Sequence, residues 1–260
     1  MQAHEIDYII GGDDCQYVEI ELDPNESAVA EAGAMLFMDE DICMTTIMGD
    51  ASSQDENRGI IGTLLGAGKR LLTGEGLFMT VFTHQGNGKA RVAFAAPHPG
   101  KVLAMNLAEQ QGTLLCQKDA FLCAAKGVSL GIAFQRKIMS GLFGGEGFVL
   151  QKLEGDGMVF IHAGGNIFEK ELKDGEALLV DTGCVVALQP SVDFSIQTVG
   201  GVKSALFGGE GMFLARLSGP GKVWLQTLPF SHLAAQIASR IPRGTSNNAL
   251  EGVSNMFERR

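Results

Sequence analysis

Asp181-Thr182-Gly183 has the residue types of an aspartic protease triplet. In that chemistry two aspartates share one proton, because like charges so close cannot both ionise. It requires a second aspartate and a covering flap. The matching positions elsewhere in the chain are Glu31-Ala32-Gly33 and Gln117-Lys118-Asp119, and neither repeats the triplet. Asp181 therefore reads as a structural residue at the tip of a recurring turn.

Glu75, Glu146 and Glu210 each stand between two glycines. Three such carboxylates could accept hydrogen bonds from a ligand, and they are the candidate ligand-binding residues. The competing reading is a β-bulge, in which the glycines supply backbone freedom and the glutamate satisfies nearby N–H groups. The histidines are His4, His84, His98, His162 and His232. A cupin-type metal site needs two closely spaced histidines and a carboxylate on neighbouring strands. Only His162, with Glu169 downstream, begins to fit, so no metal and no cofactor is expected. Gly66-Ala67-Gly68-Lys69-Arg70 resembles a phosphate loop, but Thr63 replaces its first glycine and Arg70 its hydroxyl residue. No nucleophile–base arrangement is visible, so catalytic residues are not expected and the chain reads as non-enzymatic.

The glycine–glutamate–glycine stretches are themselves the strongest organising signal. Their first glycines, Gly74, Gly145 and Gly209, are 71 and 64 residues apart. A motif recurring at such a period marks an internally repeated domain. Each is followed by an apolar strand, a glycine turn (Gly86-Asn87-Gly88, Gly155-Asp156-Gly157, Gly219-Pro220-Gly221) and a return strand. Glycine supplies the positive φ that tight hairpins need. The N-terminal hairpin, turning at Gly11 to Asp14, is a further version without the motif. A second element repeats as well: Leu22-Asp23-Pro24-Asn25-Glu26-Ser27-Ala28 matches Leu172-Lys173-Asp174-Gly175-Glu176-Ala177-Leu178, with a looser copy over Leu107 to Leu114. Each leads into a hairpin whose tip is Ala32-Gly33, Lys118-Asp119 or Thr182-Gly183, where a left-handed residue is expected.

The expected architecture is all-β. It comprises a first β unit over 1–50, an acidic loop and apolar flap over 51–73, a second unit over 74–144 and a third over 145–208. A closing half-unit and C-terminal helix follow over 209–241, then a flexible tail over 242–260. Ser231 is placed to cap the helix, Leu233, Ile237 and Ile241 form an apolar stripe, and Pro242 ends it.

Composition bounds function. Hydrophobic residues make up 45% and charged residues 19%, which is globular, and 35 glycines punctuate short apolar runs. The net charge of −10 and the lack of any Lys/Arg run longer than two argue against nucleic acid. The five cysteines, Cys15, Cys43, Cys116, Cys123 and Cys184, include no CxxC, which fits reduced thiols and a cytoplasmic setting. No apolar run reaches the ~18 residues of a membrane span, and Met1-Gln2-Ala3-His4-Glu5 does not read as a secretory signal.

Five stretches together resemble one family: Gly62 to Val81, Phe143 to Gly157, His162 to Asn166, Leu179 to Cys184 and Gly219 to Pro229. They are similar to the family of altered-inheritance-of-mitochondria protein twenty-four, over roughly residues 4 to 241. The resemblance implies three tandem units like the tryptophan RNA-binding attenuation protein, each a small double-stranded β-helix or sandwich. It further implies a homotrimer closing a ring of nine units, and a link to inner-membrane organisation among mitochondrial members. It carries over no catalytic residue, and fold does not import RNA binding. The expected function is a non-catalytic oligomeric β-ring scaffold, cytoplasmic or peripheral to an inner membrane. A small-ligand-binding protein with sites in clefts between units is the alternative. The half-unit from Gly209 to Leu228 is expected to cover an open N-terminal edge, with Phe207, Met212, Phe213 and Trp224 in or near the closing contact.

Overall fold

The structure, a computed structural model, describes residues 2–48, 78–136, 147–198 and 213–240. Almost all of the regular structure in the described chain is strand. After a leading strand, β1 (Asp7–Gly11), eighteen strands fall into three sets of six. The first set is β2 (Tyr17–Leu22), β3 (Ser27–Glu31), β4 (Met35–Met38), β5 (Ile42–Met48), β6 (Phe78–His84) and β7 (Ala90–Ala95). The second is β8 (Gly100–Asn106), β9 (Thr113–Gln117), β10 (Phe121–Ala125), β11 (Ser129–Arg136), β12 (Phe148–Glu154) and β13 (Met158–Gly164). The third is β14 (Ile167–Leu172), β15 (Ala177–Asp181), β16 (Val185–Leu188), β17 (Asp193–Thr198), β18 (Phe213–Ser218) and β19 (Gly221–Gln226). Helix α1 (Phe230–Arg240) follows.

One pairing rule holds in every set. The first and third strands flank the sixth, and the second and fourth flank the fifth, all antiparallel. Each unit is thus two three-stranded sheets facing each other. The third strand carries a register shift at the same place each time: between Met35 and Phe37, Phe121 and Cys123, and Val185 and Ala187. Such a bulge bends the strand and increases its twist. This pairing frame is offset from the glycine-motif frame, because each motif lies between the fourth and fifth strands of a set. The motif glutamates Glu75, Glu146 and Glu210, Phe207, Met212 and the expected acidic loop and flap lie outside the described residues.

Local chemistry explains the recurrence. In the turn from first to second strand, Glu26 Oε2 accepts from the Asp23 N–H at 2.8 Å and Glu176 Oε2 from the Lys173 N–H at 3.1 Å. The second unit replaces this with a short 3-10 turn over Leu107–Gln110, where Asn106 accepts from the Ala108 N–H at 2.9 Å. Positive φ occurs where the matched motif places it, at Asn25 (72°) and Gly175 (74°). The next tips differ from expectation. Gly33 is left-handed at 88°, but Lys118–Ala120 and Thr182–Cys184 are right-handed 3-10 turns. A three-residue 3-10 turn reverses the chain without a left-handed residue.

The units are joined edge to edge. β10 of the second unit pairs with β3 of the first, and β16 of the third with β9 of the second. Two six-stranded sheets result, β5-β6-β3-β10-β13-β8 and β11-β12-β9-β16-β19-β14, flanked by β1-β2-β7-β4 and β15-β18-β17. Three cores fill the spaces between successive sheets. Ile20, Leu22, Phe94 and Phe160 belong to the first, Leu107, Leu114, Leu153 and Trp224 to the second, and Phe148, Leu150, Leu217 and Val223 to the third. The inner sheets are covered on both faces, so their seam strands read as continuous apolar runs: all of Phe121–Ala125 and Val185–Leu188 are buried. Each fully buried Leu, Ile or Phe contributes about 1.5–3 kcal/mol of hydrophobic stabilisation.

Helix α1 begins one residue before Ser231, so that serine is not its cap. The backbone N–H groups of His232 and Leu233 donate instead to the Pro229 carbonyl. The apolar stripe is present but Ile237 is 55% exposed. Ile241 and Pro242 lie outside the described residues.

Candidate functional site

The internal seams define what a finished edge looks like. At the first, Cys123 stands opposite Ala30, Ala124 opposite Val29 and Ala125 opposite Ala28. At the second, Ala187 stands opposite Cys116 and Leu188 opposite Leu115. In both cases the third strand of one unit pairs with the second strand of the unit before it. Among the described residues, two strands of those classes have no such partner: β4, the third strand of the first unit, and β15, the second strand of the third. Their residues are correspondingly uncovered. Met35 is 38% exposed, Leu36 54%, Phe37 41% and Leu179 57%. Unpaired apolar edges are templates for another chain, which proteins usually blunt with charge, proline or a covering loop.

Of the residues expected at a closing contact, Phe213 is half-buried against the third core. Trp224 is 2% exposed inside the chain, between Glu169 of β14 and Ala187 of β16. Its indole N–H donates to Glu169 Oε2 at 2.8 Å, and Lys222 Nζ holds Oε1 at 2.8 Å. The Lys222 and Trp224 hydrogen bonds hold the Glu169 carboxyl below its ordinary range. Sequence reasoning expected the hairpins that hold β4 and β15 but missed these strands as open edges. The signal was present in the aligned repeat, where Phe37 and Leu179 occupy positions that Cys123, Ala187, Val29 and Leu115 fill at the internal seams, Leu115 half-buried and the others fully.

Glu169 is thus engaged away from His162, whose neighbour is His98 with ring centroids 4.5 Å apart. His162 is 3% exposed and its Nε2 has no hydrogen-bond partner. Burial, helped by the charge of His98 and opposed by a hydrogen bond to the His98 backbone, pushes its pKa down to about 4. Among the described residues no group of three or more His, Cys, Asp or Glu is placed to hold a metal ion. Asp181 does structural work. Its Oδ1 accepts from the Gly183 N–H at 2.8 Å, capping the 3-10 turn, while His232 Nε2 of α1 lies 3.3 Å from Oδ2.

A repeated sandwich joined through its strand edges, with two matching edges left over among the described strands, defines a class of modular β-repeat protein. The family described as mitochondrial biogenesis AIM24 matches residues 8–228, and the chain belongs to it. An uncharacterized protein of Streptococcus pyogenes serotype M6 is 29% identical over 233 residues, spanning 89% of this chain and 88% of that one. The crystal structure of a Streptococcus pyogenes protein superposes with a TM-score of 0.71 at 23% identity, covering 91% of this chain and all of that one. That likeness is one of fold. No described helix is long and apolar enough to cross a membrane.

Proposed function

We propose that this protein is a non-catalytic, self-assembling module that closes with copies of itself into a β-ring scaffold, as the family resemblance implies. The observation that supports this reading is the matched pair of open edges. Continuing the internal rule, β4 of one copy pairs antiparallel with β15 of the next. The register follows from the two seams: Phe37 opposite Val180 and Met38 opposite Leu179. The outer sheets then merge into a third six-stranded sheet built like the other two, with β1 as an extra strand. The contact is heterologous, since it joins different surfaces of two copies, and a heterologous contact that closes gives a cyclic oligomer. The family resemblance sets the number of chains at three.

Charge on the open edges tests this. Phe37→Glu and Leu179→Glu each place a carboxylate on a side chain that is 41% and 57% exposed in the single chain, so the fold tolerates them. Each variant is expected to elute as a folded single chain by size-exclusion chromatography while the parent elutes as a ring. Two variants that assemble like the parent move the interface elsewhere.

A further inference from the structure

A cavity of about 300 Å³ opens at the tip end of the sandwich, and all three units line it. The first contributes Glu31, the second Asp119 and His162, and the third the Gly183 turn, with Phe230 of α1 at its side. Its volume is at the small end of ligand pockets. Much of the wall is alanine, proline and phenylalanine, and among the described residues no Lys or Arg lines it. Two carboxylates do, and Asp119 is fixed by a hydrogen bond from Gln117 Nε2 at 3.1 Å. His98 bridges the two rings beside it, stacking on Phe230 with centroids 5.4 Å apart and meeting His162 edge-on. His162 is buried beside His98, and its unpartnered Nε2 is sealed from solvent and packed toward Gly100.

We propose that this cavity binds a small organic amine, a protonated nitrogen on a compact apolar or aromatic body. The carboxylates of Glu31 and Asp119 receive the ammonium through charge-assisted hydrogen bonds. The Phe230 ring offers its face to the cation or to the ligand body. His162 stays uncharged near neutral pH, because burial holds its pKa well below that range. It therefore places no positive charge in the wall to repel the cation. The site lies within one chain and does not rest on ring closure, so it can stand or fall independently of that reading.

The test uses purified full-length protein with phenethylamine, phenylacetate and 2-phenylethanol as probes of one shape and three charges. Calorimetry is expected to give saturable binding of phenethylamine and at least tenfold weaker binding of the alcohol and the acid. Histidine ring NMR signals of His98 and His162 should move with the amine. Asp119→Asn and Phe230→Ala should each weaken it about tenfold with thermal unfolding unchanged. Phe230 is 57% exposed, so its loss leaves the fold intact and keeps the test valid if the aspartate variant does not fold. No saturable amine binding, equal binding of phenylacetate, or a folded variant that binds like the parent would each overturn the proposal.

Discussion

Cys123 stands directly opposite Ala30 across the seam that joins the second unit to the first. The same relation places Ala187 opposite Cys116 at the second seam. Carried once more around the repeat, it places Phe37 of one copy opposite Val180 of the next. Facing residues of an antiparallel pair have Cα atoms about 4.5–5.5 Å apart, which a disulfide can span. A chain carrying both Phe37→Cys and Val180→Cys should therefore form a covalent trimer on mild oxidation, seen on a non-reducing gel and lost with reductant. Each single variant should run as a monomer there, which controls for the exposed Cys15 and Cys43. A double variant that stays monomeric on that gel contradicts the register.

The pair formed by Trp224 and Glu169 gives a separate prediction. The chain has a single tryptophan, so its fluorescence reports this one place in the central core. The Lys222 side of the contact is solvent-screened, with Lys222 and Glu169 side chains 40% and 48% exposed, and contributes little. The indole bond to a carboxylate is the larger part. Glu169→Ala should cost about 1 kcal/mol in denaturant unfolding and shift Trp224 emission, while Glu169→Gln, which keeps an acceptor, should cost less. Equal losses in the two variants would show that the acceptor is not what matters.

Two histidines are expected to make stability fall in mild acid. Burial lowers the pKa of His162 to about 4. Burial first, then the charge of Lys126, lowers that of His4, whose Nδ1 accepts from the Ser27 N–H at 2.9 Å. Both folded values lie below the ordinary 6.5, so below that pH the unfolded chain binds more protons than the folded one, and stability drops as pH falls. For His162 the loss between pH 7 and pH 5 is about 2 kcal/mol. Urea unfolding at fixed protein concentration should show it, and His162→Gln should remove most of that share. A variant with the parent's full pH slope would rule His162 out as its source.

The period, the hairpins and the all-β class were legible because they are local. The glycine turns at Gly86–Gly88, Gly155–Gly157 and Gly219–Gly221 each join the fifth and sixth strands of a set. The Leu22–Ala28 and Leu172–Leu178 match became the same hydrogen-bonded turn, with Glu26 and Glu176 in the same role. Contacts set by non-local pairing were not legible. Trp224 is expected near the closing contact because its strand ends the repeat, yet β14 and β16 close over it from either side. The open edges fell on β4 and β15 because the second strand of one unit pairs with the third strand of the following unit. No spacing in the sequence states that rule. The cavity was illegible for the same reason: Glu31, Asp119 and His162 meet only once the three tips are brought side by side.

Static light scattering of the purified chain at micromolar concentration tests ring closure most directly. Pairing of β4 with β15 between copies predicts a particle of three times the 27.6 kDa chain mass, holding that mass on dilution. A particle of 27.6 kDa at the same concentration would contradict it and leave β4 and β15 as the open edges of a single chain.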